Sequence, residues 1–422
     1  MRRAVITGVG VVAPGGESRE LFWARIVDGK PAIRRISRFD PAAYRSRIAA
    51  EVDVDAAGRG LTPQEVRRTD RFVQMAMIAA DEAVADAGLD VSGGGFDGDR
   101  VGVTLGTAVG ATSRLEDEYV IASNHGRDWV VDHRHTGPFL YQSLVPASGA
   151  AELAARYGAH GPAAVVSTGC TSGIDSIGHA LGLVQDNEAD VVIAGASDAP
   201  ISPITVACFD AIRATTPHND DPEAASRPFD DGRQGFVLGE GSAFLVVEEL
   251  EHARARGARI YCEVTGYAAR ANGFHMTGLR PDGLELAEAI GDAMDQARLT
   301  TEDLGYISAH GSGTRQNDRH ETAAYKRALG EPVRQVPISS IKSVVGHSLG
   351  AIGAIEMAAC ALALQRGVIP PTANLTAPDP ECDLDYTPLT ARETTVRHAL
   401  SVGSGFGGFQ SAMVLSRDGV LA

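Results

Sequence analysis

Short runs of β-branched and small apolar residues alternate along the chain with longer segments whose apolar positions recur at helical spacing. The short runs read as strands covered on both faces, and the longer segments as helices with one buried side. Strands are predicted at Ala4–Thr7, Val101–Leu105, Ala164–Ser167, Val191–Ala194, Ser242–Val247, Ile260–Tyr267 and Tyr306–Ala309. Helices are predicted at Arg71–Ala87, Ile174–Gln185, Leu284–Ala297, Glu321–Leu329 and Ala351–Gln365. In Ile174–Gln185, the side chains of Ile174, Ile177, Leu181 and Val184 share one face, and burying that face needs a partner layer. The alternation predicts an α/β protein with sheets covered by helices.

One arrangement occurs twice. Ala164–Gln185 reads strand, tight turn, small-residue helix, and Val336–Gln365 repeats that order. Two halves built alike are therefore expected, residues 1–255 and 256–422, joined near Glu251–Gly257 where a charged helix end meets a glycine. No long Pro/Ser linker separates them, so one fused domain is expected. A chain of 422 residues has ample length for such a core.

Composition narrows the function. Content is 44% hydrophobic and 22% charged, near the globular average, which argues against disorder. The net charge of −16 argues against nucleic-acid binding, because phosphate recognition needs clustered Lys and Arg. No apolar run reaches membrane-spanning length and the Met-Arg-Arg start leads straight into a strand, so a cytoplasmic chain without a membrane partner is expected. The 5 cysteines are scattered at 170, 208, 262, 360 and 382 with no C-x-x-C pair. That pattern predicts free, mostly buried thiols and no metal site.

Among them Cys170 stands apart. In V-S-T-G-C-T-S-G-I-D it sits between a strand and the helix that follows. A thiol at a helix N-terminus meets the positive end of the helix dipole, which is expected to lower its pKa and favour the thiolate. Gly169 and Gly173 allow a sharp turn and a close substrate. Two histidines have comparable settings: His310 in S-A-H-G-S-G-T directly after a predicted strand, and His347 in K-S-V-V-G-H-S-L-G before a small-residue helix. A thiol that carries an acyl group, with histidines that hydrogen-bond an enolate, suits carbon–carbon bond formation.

These motifs, with G-F-G-G near the C-terminus, resemble the Cys-His-His ketosynthases of the thiolase superfamily, in order and over nearly the whole chain. The resemblance implies a thiolase-like fold of five layers, α-β-α-β-α, made from two similar halves. It implies Cys170 as nucleophile, His310 and His347 promoting malonyl decarboxylation, and Lys342 bonding within the site near Glu321. The backbone N–H groups of Cys170 and Phe406 would form the oxyanion hole, with Phe406 as a gate. Ser312, Thr314, Asp318 and Glu321 would support the site.

The segments H-G-S-G-T-R-Q-N-D, A-C-F-D-A-I-R-A-T-T and V-G-S-G-F-G-G-F-Q further resemble the ketosynthase subunit of bacterial type II aromatic polyketide synthases. Fatty-acid relatives carry H-G-T-x-T and N-S-F-G-F-G-G-T-N, so Ser312 replaces a threonine, and Val402, Gly403 and Ser404 replace the N-S-F run. Those synthases pair the ketosynthase with a homologous chain length factor that has glutamine in place of the cysteine. Cys170 thus puts this chain on the catalytic side of such a heterodimer. The resemblance implies no permanently bound cofactor; acyl and malonyl groups would arrive on the phosphopantetheine arm of an acyl carrier protein. That acidic partner would dock on a basic island, for which Arg67, Arg68, Arg71 and Arg213 are candidates. Fatty-acid 3-oxoacyl synthesis is the alternative reading.

Other patterns compete. G-H-S-L-G at 346–350 fits a serine-hydrolase elbow at Ser348, with Asp385 and His398 following in triad order. G-V-G-V-V-A at 8–13 mimics a dinucleotide fingerprint, but Pro14-Gly15-Gly16 stands where its helix should begin. Asp318-Arg319-His320-Glu321 could suggest a metal, yet lacks zinc spacing and reads as a helix start.

Overall fold

The computed structural model describes residues 2–89, 97–128 and 130–417. The main strands are β1 (Ala4–Val12), β2 (Val101–Gly106), β3 (Ala163–Val166), β4 (Val191–Asp198), β5 (Gly241–Glu249), β6 (Cys262–Ala271), β7 (Tyr306–Ser308), β8 (Ile338–Ser339), β9 (His398–Gly405) and β10 (Phe409–Ser416). The main helices are α1 (Arg71–Asp86), α2 (Ala147–Tyr157), α3 (Ser172–Gln185), α4 (Pro203–Ala211), α5 (Leu284–Ala297), α6 (Arg315–Leu329) and α7 (Ile352–Arg366).

The strands form a 10-stranded ladder in the order β8-β7-β9-β10-β6-β1-β5-β4-β2-β3. Outward from its middle the two sides match. On one side β1 pairs antiparallel with β5 and β5 with β4, then β4, β2 and β3 run parallel. On the other, β6 pairs antiparallel with β10 and β10 with β9, then β9, β7 and β8 run parallel. They meet where Ala4–Ile6 pair with Cys262–Val264.

The buried clusters define the layers. One face of the first strand set, through Val103, Ile193 and Val246, packs on α1 and α2. Its opposite face, through Ala194, Leu245 and Val247, shares a cluster with α3, α7 and residues Val264, Met413 and Leu415 of the second set. The far face of that second set, through Ile307, Leu400 and Val414, packs on α5 and α6. The order is therefore helices, sheet, helices, sheet, helices, as the resemblance implied. Burial on both faces explains why these strands are apolar throughout.

The glycines of the dinucleotide-like run serve packing. A Cβ on Gly8 would lie 2.1 Å from Ala83 O, and one on Gly10 would lie 1.9 Å from Ala79 O, so β1 needs glycine to lie flat against α1. The two sequence repeats, β3–α3 and β8–α7, place both small-residue helices in the central layer. There a Cβ on Gly173 would meet Ala354 N at 2.3 Å, and one on Gly353 would meet Ile174 N at 2.8 Å. Backbone touches backbone where these helices cross. The segment Leu349–Arg366 has the length and apolarity of a membrane span, yet 89% of it is buried in this central layer.

Several elements differ from expectation. α6 begins at Arg315, not Glu321, because Thr314 caps it by accepting the Asn317 N–H. The hairpin β9–β10 was not among the expected strands, because its Gly and Ser residues dilute the β-branched signal. Cys208 on α4 is exposed, whereas Cys262, Cys360 and Cys382 are buried; all are free thiols.

Candidate active site

Cys170, His310, His347, Ser312, Thr314 and Phe406 line one pocket. They come from four loops, with His310, Ser312 and Thr314 sharing the one between β7 and α6, and such loops are where an α/β fold opens to ligands.

Cys170 lies in a tight turn, Gly169–Thr171, between β3 and α3. Gly169 has φ of +62°, a conformation that suits glycine. Behind the turn the Asp175 carboxylate accepts hydroxyl hydrogen bonds from Thr168, from Thr171 at 2.7 Å, from Tyr267 at 3.0 Å and from Ser411 at 2.5 Å. Both threonines flank the nucleophile, so Asp175 fixes its backbone. Asp175 stands in the Cys170 motif, but its hydroxyl partners lie on three separate elements, and nothing local pointed to its role.

The β9–β10 turn approaches from the other side. A Cβ on Gly405 would lie 3.2 Å from Cys170 N, and the Phe406 N–H is near enough to the Cys170 thiol to pull its pKa down. This puts the Phe406 N–H beside the reacting sulfur, where an oxyanion donor must be. The Phe406 ring is partly exposed and packs at 6.4 Å from Phe209, continuing through Phe236 to the His347 ring.

The electrostatics of Cys170 run against the sequence expectation. Burial pushes its thiol up to about 11, outweighing the Lys342 charge and the Phe406 N–H, which pull it down. Desolvation of the thiolate is the largest influence, so Cys170 rests as the neutral thiol.

His310 and His347 stand 5.2 Å apart between ring centroids and are almost fully buried. Burial, and then the Lys342 charge, hold both well below the ordinary histidine range, so both rings are neutral. His347 Nδ1 accepts the Leu349 N–H at 3.2 Å, which leaves the ring proton on Nε2 as a donor.

α6 holds the His310 loop. Glu321 accepts the His310 N–H at 2.6 Å and the Gly311 N–H at 2.8 Å, and also the Tyr325 hydroxyl. Asp318 accepts the Phe229 N–H at 2.8 Å and the Gly313 N–H at 3.2 Å, and pairs at 3.0 Å with Arg233, which is fully buried. The metal-like run Asp318–Glu321 is thus spent on backbone amides and on Arg233. Ser312 and Thr314 hydroxyls lie 3.1 Å apart on the pocket wall.

Lys342 bonds Glu356 on α7. It lies near enough to Glu321 to act on its charge, but that carboxylate is occupied by the His310 loop. Glu356 was not anticipated; the available signal was a single carboxylate in the otherwise apolar helix I-G-A-I-E-M-A-A-C. An unpaired charge there would be too costly to retain.

The hydrolase reading fails on geometry. The Ser348 hydroxyl is buried without a partner, His398 Nδ1 bonds Ser416 at 2.9 Å, and Asp385 pairs with Arg392 at 2.6 Å. No Ser–His–Asp relay connects them.

The candidate docking arginines separate. Arg213 is exposed and lines an outer vestibule with Arg315, which shares Thr277, Thr314, Gln316 and Phe406 with the inner pocket. Arg71 pairs at 2.9 Å with buried Glu240, and Arg68 at 2.6 Å with Glu152. Arg67 is exposed, and neither it nor those two lines the vestibule.

Comparison with known proteins gives the family. The Beta-ketoacyl synthase, N-terminal domain family matches residues 1–253, and the Beta-ketoacyl synthase, C-terminal domain family matches residues 261–376. The chain is 60% identical over 416 residues to the tetracenomycin polyketide synthase ketoacyl synthase alpha subunit of Streptomyces glaucescens, covering 99% of this chain and 97% of that one. Among solved structures, a type II PKS acyl-carrier protein in complex with its ketosynthase bound to the hexaketide matches with a TM-score of 0.92 and 36% identity, over 99% of both chains. The ishigamide ketosynthase/chain length factor matches with a TM-score of 0.90 and 34% identity, over 99% of this chain and 100% of that one. With a cysteine and two neutral histidines gathered in one pocket beside Phe406 and both family models matched, the chain belongs to the beta-ketoacyl synthase family.

Proposed function

We propose that this chain is the catalytic ketosynthase subunit of a type II polyketide synthase. In this reading it performs decarboxylative Claisen condensations in the cytoplasm, as a heterodimer with a homologous chain length factor. The observation that carries the chemistry is the single pocket shared by Cys170, His310 and His347.

The cycle follows from the protonation states. Cys170, a neutral thiol, attacks an acyl thioester on the phosphopantetheine arm of a carrier protein. The acyl group passes to sulfur, and the departing pantetheine thiol takes the proton. Malonyl thioester enters next, and His347 Nε2–H, with His310 beside it, hydrogen-bonds its carbonyl oxygen. Loss of CO2 leaves an enolate held by these donors, and neutral rings suit the task because they need not lose a proton. The enolate carbon attacks the acyl-Cys170 carbonyl, whose oxygen gathers charge against the Phe406 and Cys170 N–H groups; such donors are each worth about 3–4 kcal/mol in acyl transfer. Collapse expels Cys170 sulfur, which is reprotonated, and the chain is two carbons longer. Without reduction between rounds, repetition gives a poly-β-ketoacyl chain.

Residues 1–255 and 256–422 act as two halves in this scheme, the first carrying the nucleophile and the second the histidines. The vestibule with Arg213 and Arg315 receives the pantetheine arm, with Arg213 on the acidic carrier.

The test combines Cys170→Ala with intact-mass analysis. Acyl-enzyme and product should vanish while CO2 release from malonyl carrier protein persists, and condensation by the variant would refute the scheme. Products from the co-purified complex decide the branch: unreduced polyketones support this reading, and turnover only with fully reduced acyl chains supports the fatty-acid alternative.

A further inference from the structure

Asp175 is 6% exposed in the first turn of α3, and its two oxygens divide their partners between the two halves of the chain. Oδ2 accepts the hydroxyls of Thr168 and Thr171, which flank Cys170. Oδ1 accepts the hydroxyls of Tyr267 on β6 and Ser411 on β10, at 3.0 and 2.5 Å. A carboxylate offers about four acceptor positions, so these four donors fill it.

The second oxygen reaches the hairpin that carries Phe406. Ser411 lies directly opposite Gly403 in the β9–β10 ladder, and Met413, on the same face of β10, opposes Tyr267 on β6. Tyr267 and Ser411 are therefore diagonal neighbours. Gly403 itself lies against the nucleophile turn, where a Cβ would meet Thr171 Cγ2 at 3.2 Å. Two residues on, a Cβ on Gly405 would stand at the same distance from Cys170 N. The hairpin thus meets the Cys170 turn across a seam of glycines, and Asp175 ties the two sides of that seam.

Another glycine places Tyr267. A Cβ on Gly178, one turn along α3 from Asp175, would lie 2.5 Å from Tyr267 Cε1 and Cζ. The ring rests on bare helix backbone with its hydroxyl at Asp175, and a side chain at position 178 would push it away. The His310 loop is held separately, by Glu321 and Asp318 of α6.

We propose that Asp175 is a positioning residue for acyl transfer. By bonding the Cys170 turn with one oxygen and the sheet that carries the Phe406 turn with the other, it sets the spacing of the two N–H groups that receive the oxyanion. This rests on the condensing activity proposed above. Asp175 touches no reacting atom. Attack of the Cys170 sulfur on an acyl thioester sends charge to a carbonyl oxygen and needs both N–H groups aligned. Loss of CO2 sends its charge to the oxygen held by His310 and His347, and does not.

The test measures two rates in the intact enzyme: formation of acyl-Cys170 from acetyl-loaded carrier protein, by intact mass, and CO2 release from malonyl carrier protein. In Asp175→Leu, acylation should fall on the order of 100-fold, the scale of a misplaced oxyanion donor, while CO2 release stays within about threefold of the parent. The double variant Tyr267→Phe/Ser411→Ala removes only the hydroxyls on Oδ1, and should slow acylation at least about tenfold with CO2 release again spared. It decides the matter should Asp175→Leu fold poorly. In whichever variant keeps the parental melting curve, loss of both rates together, or acylation within about threefold of the parent, would overturn the proposal. A parent enzyme that neither forms acyl-Cys170 nor releases CO2 would instead refute the function on which it rests.

Discussion

The neutral resting thiol leads to a measurable reactivity. With Cys170 pushed up to about 11 from an ordinary 9.0, about 100-fold less thiolate is present at any pH below 9 than for an unshifted thiol. At pH 7 that leaves about one thiolate in 10,000. Alkylation by iodoacetamide proceeds through the thiolate, so its rate at Cys170 should climb about tenfold per pH unit from 7 to 9.5, without levelling. Mass spectrometry of the Cys170 peptide follows the rate, and exposed Cys208 in the same digest reports reagent activity. If the helix start dominated instead, the rate would level off between pH 6 and 8. A plateau in that window would refute the conclusion that desolvation outweighs the Lys342 charge and the Phe406 N–H.

Glu321→Gln tests the buried carboxylate behind His310: burial raises Glu321 from 4.5 to about 7, so the folded state holds its proton longer than the unfolded one, and stability is lost as pH rises from about 4.5 to 7. The variant should flatten that part of a stability–pH profile by up to about 3 kcal/mol, while weakening decarboxylation because a glutamine keeps only one acceptor oxygen and one of the His310 and Gly311 N–H groups is left facing an NH2 group. Gly173→Ala drives a Cβ to 2.3 Å from Ala354 N and should cost about 3 kcal/mol in denaturant melts, whereas Gly291→Ala in α5, with nothing within 4 Å, should be neutral or slightly stabilising. Arg213→Glu at the vestibule should raise KM for carrier-bound substrate about tenfold at low salt and leave turnover of a small-molecule thioester unchanged; Arg67→Glu, away from the vestibule, should do neither.

How far the sequence could be read depended on whether the relevant neighbours are local. Cys170, His310 and His347 announce themselves because each sits in a short turn between a strand and a helix, and the turn residues lie alongside it in the chain. The same locality made the paired β3–α3 and β8–α7 units visible. The pKa of Cys170 was read in the wrong direction because the helix start is local whereas the enclosing Phe406 turn is contributed from far along the chain. Lys342 was assigned to the neighbourhood of Glu321, but its bonding partner, Glu356, became identifiable only once α7 was packed in the central layer. Arg71 looked like part of a free basic face because its partner, Glu240, is distant in sequence.

The crossing of α3 and α7 explains why two similar halves can make one asymmetric site. Each half presents a turn at the start of its central helix, and those turns carry Cys170 and His347. Glycines at the crossing bring Gly173 against Gly353 and Gly350 at backbone distance. That contact sets the separation between nucleophile and histidine through the stiffest elements available, not through loops. The outer helix α6 is then free to specialise: its Glu321 and Asp318 hold the His310 loop. Substitutions at the crossing should therefore lower decarboxylation and condensation together.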